Sequence, residues 1–242
     1  MPRTGAAALI PAMISPVTRC TLRGQSRRWR PDRPTTGEQA HDNWPRLVLL
    51  RHGVTTAPAG VYLGSRTDPG LSARGEQQAR TARAALERLA LSAVVTSPLR
   101  RAAETAALAV PPMVVAAQRV DERFREQDLG DYSGLRWDQI KDLGRDAARA
   151  WRDQGATPPG GEPAGLMWHR AVAAALELTS EVDGGANLLI VSHSGPIRAL
   201  LASARGLRPC DVRRIRVPHG SLRSIRVTPS VRARWLEVVA TR

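Results

Sequence analysis

Sulfur and aromatic rings are scarce in this chain, and the scarcity excludes several functions before any motif is read. The 242 residues include two cysteines, Cys20 and Cys210. Two thiols so far apart build neither a disulfide framework nor a metal-ligand cluster, which fits a reducing, cytoplasmic setting. One phenylalanine and two tyrosines leave few platforms on which nucleic-acid bases could stack. No window approaches the ~18 consecutive apolar residues of a membrane span, so the chain reads as soluble with no membrane partner. Lysine is nearly missing as well: Lys141 is the only one among 36 basic residues.

Arginine therefore carries the formal net charge of +14. Its residues are spread along the chain and mixed with acids. That distribution favours compositional drift, with some arginines recruited for phosphate chemistry, over a nucleic-acid-binding surface. Residues 1–44 stand apart. They hold seven arginines, and Arg23 to Thr36 has almost no apolar content with which to build a core. This segment is expected to be a disordered basic extension, or the product of an upstream start codon, followed by one domain over residues 45–242. The apolar stretch Ala6 to Ile14 is short and broken by Pro11, a weak basis for a targeting peptide.

From Trp44 onward, strand and helix patterns alternate. Leu47-Val48-Leu49-Leu50, Ala93-Val94-Val95-Thr96 and Leu188-Leu189-Ile190-Val191 are continuous apolar runs, as strands covered on both faces require. Ser72 can cap a helix with Ala79, Ala82, Leu86 and Leu89 on one face. Ser97-Pro98 reads as N-cap and first residue of a helix to about Leu108. A weak strand and loop should follow Pro111-Pro112, then helices over Trp137–Trp151 and Met167–Val182. Pro196–Arg205 reads as a helix closed by Gly206. Two further strands are expected between Ile215 and Val239. The alternation implies a three-layer α/β/α sandwich around a mostly parallel sheet. Each of the three apolar runs ends in polar residues: Arg51-His52-Gly53, Ser97, and Ser192-His193-Ser194-Gly195. Ligands of such sheets bind beyond the carboxyl ends of the strands.

Those residue types suit phosphoryl transfer. Arginine presents a planar fork of donors to phosphate oxygens. An unprotonated histidine nitrogen can attack phosphorus. A carboxyl group is needed because an alkoxide leaves poorly without a proton. The helix beginning near Pro196 would aim free N–H groups at an anion. Arg101, in the first turn of a helix, is a cation opposing the helix dipole, and an inward, anion-binding role would account for it.

Four segments then combine: Arg51-His52-Gly53, Ser97-Pro98-Leu99-Arg100-Arg101-Ala102-Ala103-Glu104-Thr105-Ala106, Phe124-Arg125-Glu126-Gln127-Asp128-Leu129-Gly130, and Ser192-His193-Ser194-Gly195. In this order they resemble the histidine phosphatase superfamily, also called phosphoglycerate mutase-like, over roughly residues 45–227. Gly64, Asp68, Leu71, Ser72, Gly75 and Gln78-Ala79 add to the likeness, as does Gly160-Gly161-Glu162.

The resemblance implies a phosphohistidine nucleophile at His52 and a phosphoryl pocket of Arg51, Arg101 and His193. Glu126 would be the general acid and then the base, with Asp128 as a neighbour able to share that role. Thr55, Gly64 and Ser194 are further candidates for the phosphate or substrate site. No metal and no cofactor is implied. The partner would be a small phosphate ester, with nucleic acid disfavoured and a homodimer left open. Relatives often read Arg-His-Gly-Glu-Thr with a later Asn, where this chain has Val54 and Pro58. That departure bears on substrate identity.

Two other activities compete. A phosphoglycerate mutase would return the phosphoryl group, but cofactor-dependent mutases of the family carry a long insertion between the acid and the second histidine. Here Glu126 and His193 lie only 67 positions apart. A degenerate phospho-ligand or nucleic-acid binding module is disfavoured by the intact His52, Arg101, Glu126 and His193. His41, His169 and His219 are read as tail, helix-face and turn residues. Arg66 is read as a solvated loop charge. Trp137, Trp151 and Trp168 are read as packing residues, with Trp168 the one that could touch substrate.

Overall fold

The computed structural model describes residues 43–112, 114, 118–182, 184–207, 212 and 215–240. The expected basic extension, with Cys20 and His41, and also Cys210, lies outside the described residues apart from Asn43 and Trp44.

The three apolar runs form strands β1 (Arg46–Arg51), β3 (Leu91–Thr96) and β6 (Asn187–Ser192), and β6 lies between the other two, parallel to both. β4 (Gln118–Val120) extends the parallel set beside β3. β7 (Leu222–Arg226) closes the other edge, antiparallel to β1. The sheet order is β4-β3-β6-β1-β7.

Side chains alternate across the pleat, so each strand feeds two cores. Leu47, Leu49, Val95, Leu188 and Ile190 face one cluster, together with α5 (Ala164–Ser180), α6 (Ser194–Ala204) and α7 (Pro229–Ala240). Val48, Leu50, Val94, Leu189 and Val191 face the other, with α1 (Ala73–Leu86) and α2 (Arg100–Ala109). Helices therefore cover both faces, and the three-layer α/β/α sandwich is the observed architecture. A third, smaller cluster of Leu129, Tyr132, Ile140, Ala148 and Trp151 sits apart from the sheet. It joins the two-stranded ribbon of β2 (Val61–Tyr62) and β5 (Leu135–Arg136) to α3 (Trp137–Leu143), α4 (Arg145–Arg149) and a π-helical turn over Ala150–Gln154.

Two expectations need correction. Helix α2 begins at Arg100 rather than at Pro98, and Ser97 is not its cap. The cap comes from elsewhere in the chain: Asp68 Oδ2 accepts from the Arg100 N–H at 2.6 Å. The Ser97 hydroxyl is instead 2.7 Å from His193 Nε2 and accepts from the Leu99 N–H. The second correction concerns the C-terminus, where one strand and one helix replace two strands. Pro229 opens α7, where its missing N–H costs nothing, and Thr228 Oγ1 accepts from the Val231 N–H. Val231 and Trp235, one turn apart, then bury the same helix face. Gly206 does follow the end of α6 with φ +62°.

Candidate active site

The carboxyl ends of β1, β3 and β6 converge, and the polar residues that follow them meet there. His52 leaves β1 with its N–H donated to Ser192 O of β6. Gly53 lets the chain turn against the start of α1: a Cβ at Gly53 would overlap the backbone of Gly75. The Gly53 N–H donates to the Thr105 hydroxyl at 3.1 Å, and that hydroxyl donates to Arg101 O at 2.7 Å. The histidine loop and the arginine helix are thus tied through one threonine.

The tautomer of His52 follows from its partner. Nδ1 lies 2.8 Å from Gly53 O, and a carbonyl can only accept, so Nδ1 carries the proton and Nε2 the lone pair. Only 3% of His52 is exposed. Burial, and then the cations Arg101 and Arg51, hold its pKa well below the ordinary histidine value. The ring is a neutral base with Nε2 available.

Two guanidinium groups flank it. Arg101 is 1% exposed and donates to Gly64 O at 2.7 Å, Thr67 O at 2.9 Å and Asp68 Oδ1 at 3.2 Å. Arg51 donates from Nη1 to Val217 O at 2.6 Å, and its Nη2 is 2.8 Å from His219 Nε2. Burial lowers the Arg51 pKa to about 10, which leaves it charged at neutral pH. Nε of Arg51 and Nε of Arg101 are both buried without a partner among the described residues. Buried N–H groups of that kind are rare and invite an anion.

Glu126 is anchored at the start of α6. Its Oε2 accepts from the Ser194 hydroxyl at 3.1 Å, and the Gly195 N–H lies 3.2 and 3.3 Å from the two carboxylate oxygens. Gly195 permits the approach, because a Cβ there would press on Glu126 Oε1 and push the carboxylate aside. A carboxylate at a helix N-terminus is also favoured by the free N–H groups of the first turn.

Arg51, His52, Gly64, Arg101, Glu126 and Ser194 all line one cavity of about 630 Å³. His193 is fully buried beside it, its ring centroid 5.1 Å from that of His52, with no partner for Nδ1 among the described residues. Burial and the neighbouring His52 and arginines keep it neutral. Thr55 is placed away from the cavity wall and pairs with Leu71 in an isolated bridge. Asp128 is engaged elsewhere: it accepts from Arg66 Nε at 2.8 Å and from the Gly130 N–H at 2.8 Å. Arg66, read from sequence as a solvated charge, therefore holds an acidic partner while half-exposed.

Some residues at this site were missed in the sequence. His219, read as a turn histidine, lines the cavity 5.2 Å from the His52 ring. Arg152, Arg198, Tyr62 and Trp151 line it too. Trp151 packs edge-on against Tyr62 at 5.2 Å, and Arg152 lies 4.0 Å over the ring of Trp137. Tyr62, Trp151 and Arg152 arrive from the ribbon and turn apart from the sheet, whereas Arg198 lies one turn into α6 and His219 in the turn before β7. Trp168, read from sequence as a packing residue able to touch substrate, takes the packing role. It is buried in the main core with its Nε1–H donated to the Ser203 hydroxyl. Among the described residues, no three His, Cys, Asp or Glu side chains gather as a metal cluster would require. No helix among them is long and apolar enough to cross a membrane.

Known proteins resemble this chain in sequence and in fold. The sequence model of the histidine phosphatase superfamily (branch 1) matches residues 47–236. A glucosyl-3-phosphoglycerate phosphatase of Mycolicibacterium vanbaalenii is 36% identical over 173 residues, covering 69% of this chain and 76% of that protein. A 2,3-bisphosphoglycerate-dependent phosphoglycerate mutase of Azorhizobium caulinodans is 32% identical over 170 residues, covering 67% and 82%. The native structure of a mycobacterial glucosyl-3-phosphoglycerate phosphatase superposes with a TM-score of 0.67 at 33% identity, covering 74% of this chain and 88% of that one.

Proposed function

The chain belongs to the histidine phosphatase superfamily, and from that membership we propose that it is a metal-independent phosphomonoesterase working through a phosphohistidine at His52. The observation that carries the reading is the state of His52: neutral, with Nδ1–H committed to Gly53 O and Nε2 left free at a cavity that Arg51 and Arg101 also line. Nε2 attacks phosphorus and the ester P–O bond breaks. Arg51 and Arg101 balance the charge on the transferring group, the main catalytic demand of phosphoryl transfer. Glu126 gives a proton to the departing oxygen. It then takes a proton from water, which attacks the phosphohistidine. The N–P bond breaks, and phosphate and neutral His52 are released. His193, held by Ser97, backs the nucleophile. Asp128, paired with Arg66, is the weaker candidate for the acid.

The substrate class is a small phosphorylated metabolite. Beyond the phosphoryl cage the cavity adds Arg152, Arg198, Tyr62 and Trp151, cations and aromatic faces that suit a leaving group with an acid and a ring. The relatives named as glucosyl-3-phosphoglycerate phosphatases point to the same chemistry. We place the activity in a reducing, cytoplasmic setting.

The test is phosphate release from a panel of esters, with chelator and without added metal, beside His52→Ala. Release that survives chelation and vanishes in the variant supports the reading; undiminished release from His52→Ala overturns it. One observation favours a second reading, the similarity to the Azorhizobium caulinodans mutase. Interconversion of phosphoglycerates without net phosphate release would establish that reading instead.

A further inference from the structure

We infer that His219 is a second histidine of the anion site, accepting from Arg51 to fix its guanidinium and turning its own Nδ1–H to the bound phosphoryl group. The inference rests on the reading of this cavity as a phosphoryl-transfer site.

Arginine can only donate, so the 2.8 Å contact between Arg51 Nη2 and His219 Nε2 requires a lone pair on that nitrogen. The ring proton therefore sits on Nδ1, for which the described residues provide no partner. His219 is only partly buried and lines the cavity, so that N–H is open to a ligand there. The surrounding turn reinforces the assignment. Val217 O accepts from Arg51 Nη1, and the Gly220 N–H reaches the carbonyl oxygens of both Arg51 and His52 at 3.1 Å. One turn thus holds the side chain of Arg51 and the backbone of the nucleophile together. The His219 ring stands nearly edge-on to His52 with centroids 5.2 Å apart, and it lines the cavity.

With one N–H of each Nη held from the turn side, Arg51 keeps its second N–H on each Nη and its buried Nε–H for an anion. Burial, then Arg51, Arg101 and Arg74, lower the His219 pKa to about 4, so the accepting nitrogen stays unprotonated at neutral pH. Without His219, Arg51 would lose the acceptor that opposes its attraction to Glu126, the acid whose charge it feels most strongly.

The experiment is calorimetric titration of inorganic phosphate into wild type, His219→Ala, His219→Asn, Arg51→Ala and the Arg51→Ala/His219→Ala pair. His219→Ala should weaken phosphate binding by about tenfold to a hundredfold, the range for a hydrogen bond to a charged group. His219→Asn, whose amide both accepts and donates, should recover most of that loss. In the Arg51→Ala background the same His219→Ala change should cost less, because the shared bond is already gone. His219→Phe keeps the ring and removes both nitrogens, and it replaces His219→Ala should that variant fail to fold. Wild-type phosphate affinity in His219→Ala or His219→Phe would overturn the inference while leaving the phosphatase reading intact. An equal cost with and without Arg51 would overturn the positioning role. A wild-type protein that binds no phosphate would overturn the anion site itself, and this inference with it.

Discussion

Replacing Gly195 by alanine separates chemistry from stability at this site. Helix propensity favours alanine by about 1 kcal/mol inside a helix, and Gly195 lies in the first turn of α6. Against that gain, the new Cβ would press on Glu126 Oε1, so the carboxylate must shift away from the Gly195 N–H and the Ser194 hydroxyl. Glu126 is only half-buried, and water can replace the lost bonds. The net change in stability should therefore be within about 1 kcal/mol. Catalysis has no such compensation. A displacement on the order of 1 Å costs about a hundredfold in rate, roughly 2.7 kcal/mol of barrier. The ceiling is the full contribution of a general acid, about 10² to 10⁴. The assay compares kcat/KM, which reports the steps up to departure of the leaving group, for an alkyl phosphate and for 4-nitrophenyl phosphate, whose leaving group needs little protonation. Gly195→Ala should lose about a hundredfold on the alkyl ester and much less on the aryl ester, with Glu126→Gln as the lower bound. Wild-type kcat/KM on the alkyl ester, or equal losses of kcat/KM on both esters, would refute the assignment of Glu126 as the acid.

Other consequences follow from the same contacts. Asp68 caps α2 from a distance and pairs with Arg101, so Asp68→Ala should cost about 1–3 kcal/mol in urea unfolding, with Asp68→Asn at the low end. Ser97→Ala leaves His193 Nε2 buried without its partner and should cost about 1–3 kcal/mol, with a fall in kcat/KM. His52, His193 and His219 are all neutral in the fold, with pKa values below the unfolded value near ~6.5. Their unfolded forms bind more protons below that pH, so thermal stability should fall as pH drops from about 6.5 toward 4 and stay level above it. For the same reason kcat/KM should show no acid limb near pH 6.5. A half-loss there would mean that the nucleophile titrates normally.

What the sequence disclosed and what it hid have physical causes. The buried strands were legible because each apolar run is covered on both faces, and their ends placed Arg51, His52 and His193 together. Glu126 and Arg101 were legible as parts of motifs, and the structure brings both to the cavity. The α2 cap was misassigned because its partner, Asp68, lies 32 positions from Arg100, beyond any local capping pattern. The second C-terminal strand was misassigned because Val231 and Trp235 lie in a segment with weak helical periodicity, where Pro229 reads equally as a turn. His219 was discounted because a Pro-His-Gly turn carries no catalytic signature. Its contact with Arg51 spans 168 positions and exists only once β7 is laid beside β1.

The most direct test of the account is to trap the covalent intermediate. Protein is mixed with a ³²P-labelled ester, quenched into alkali within one turnover, and digested for peptide mapping. A phosphohistidine route predicts label that is stable in base, lost in acid, confined to the peptide carrying His52, and absent from His52→Ala. Steady phosphate release with no protein-bound label at any time within the first turnover, or label on another residue, would contradict it.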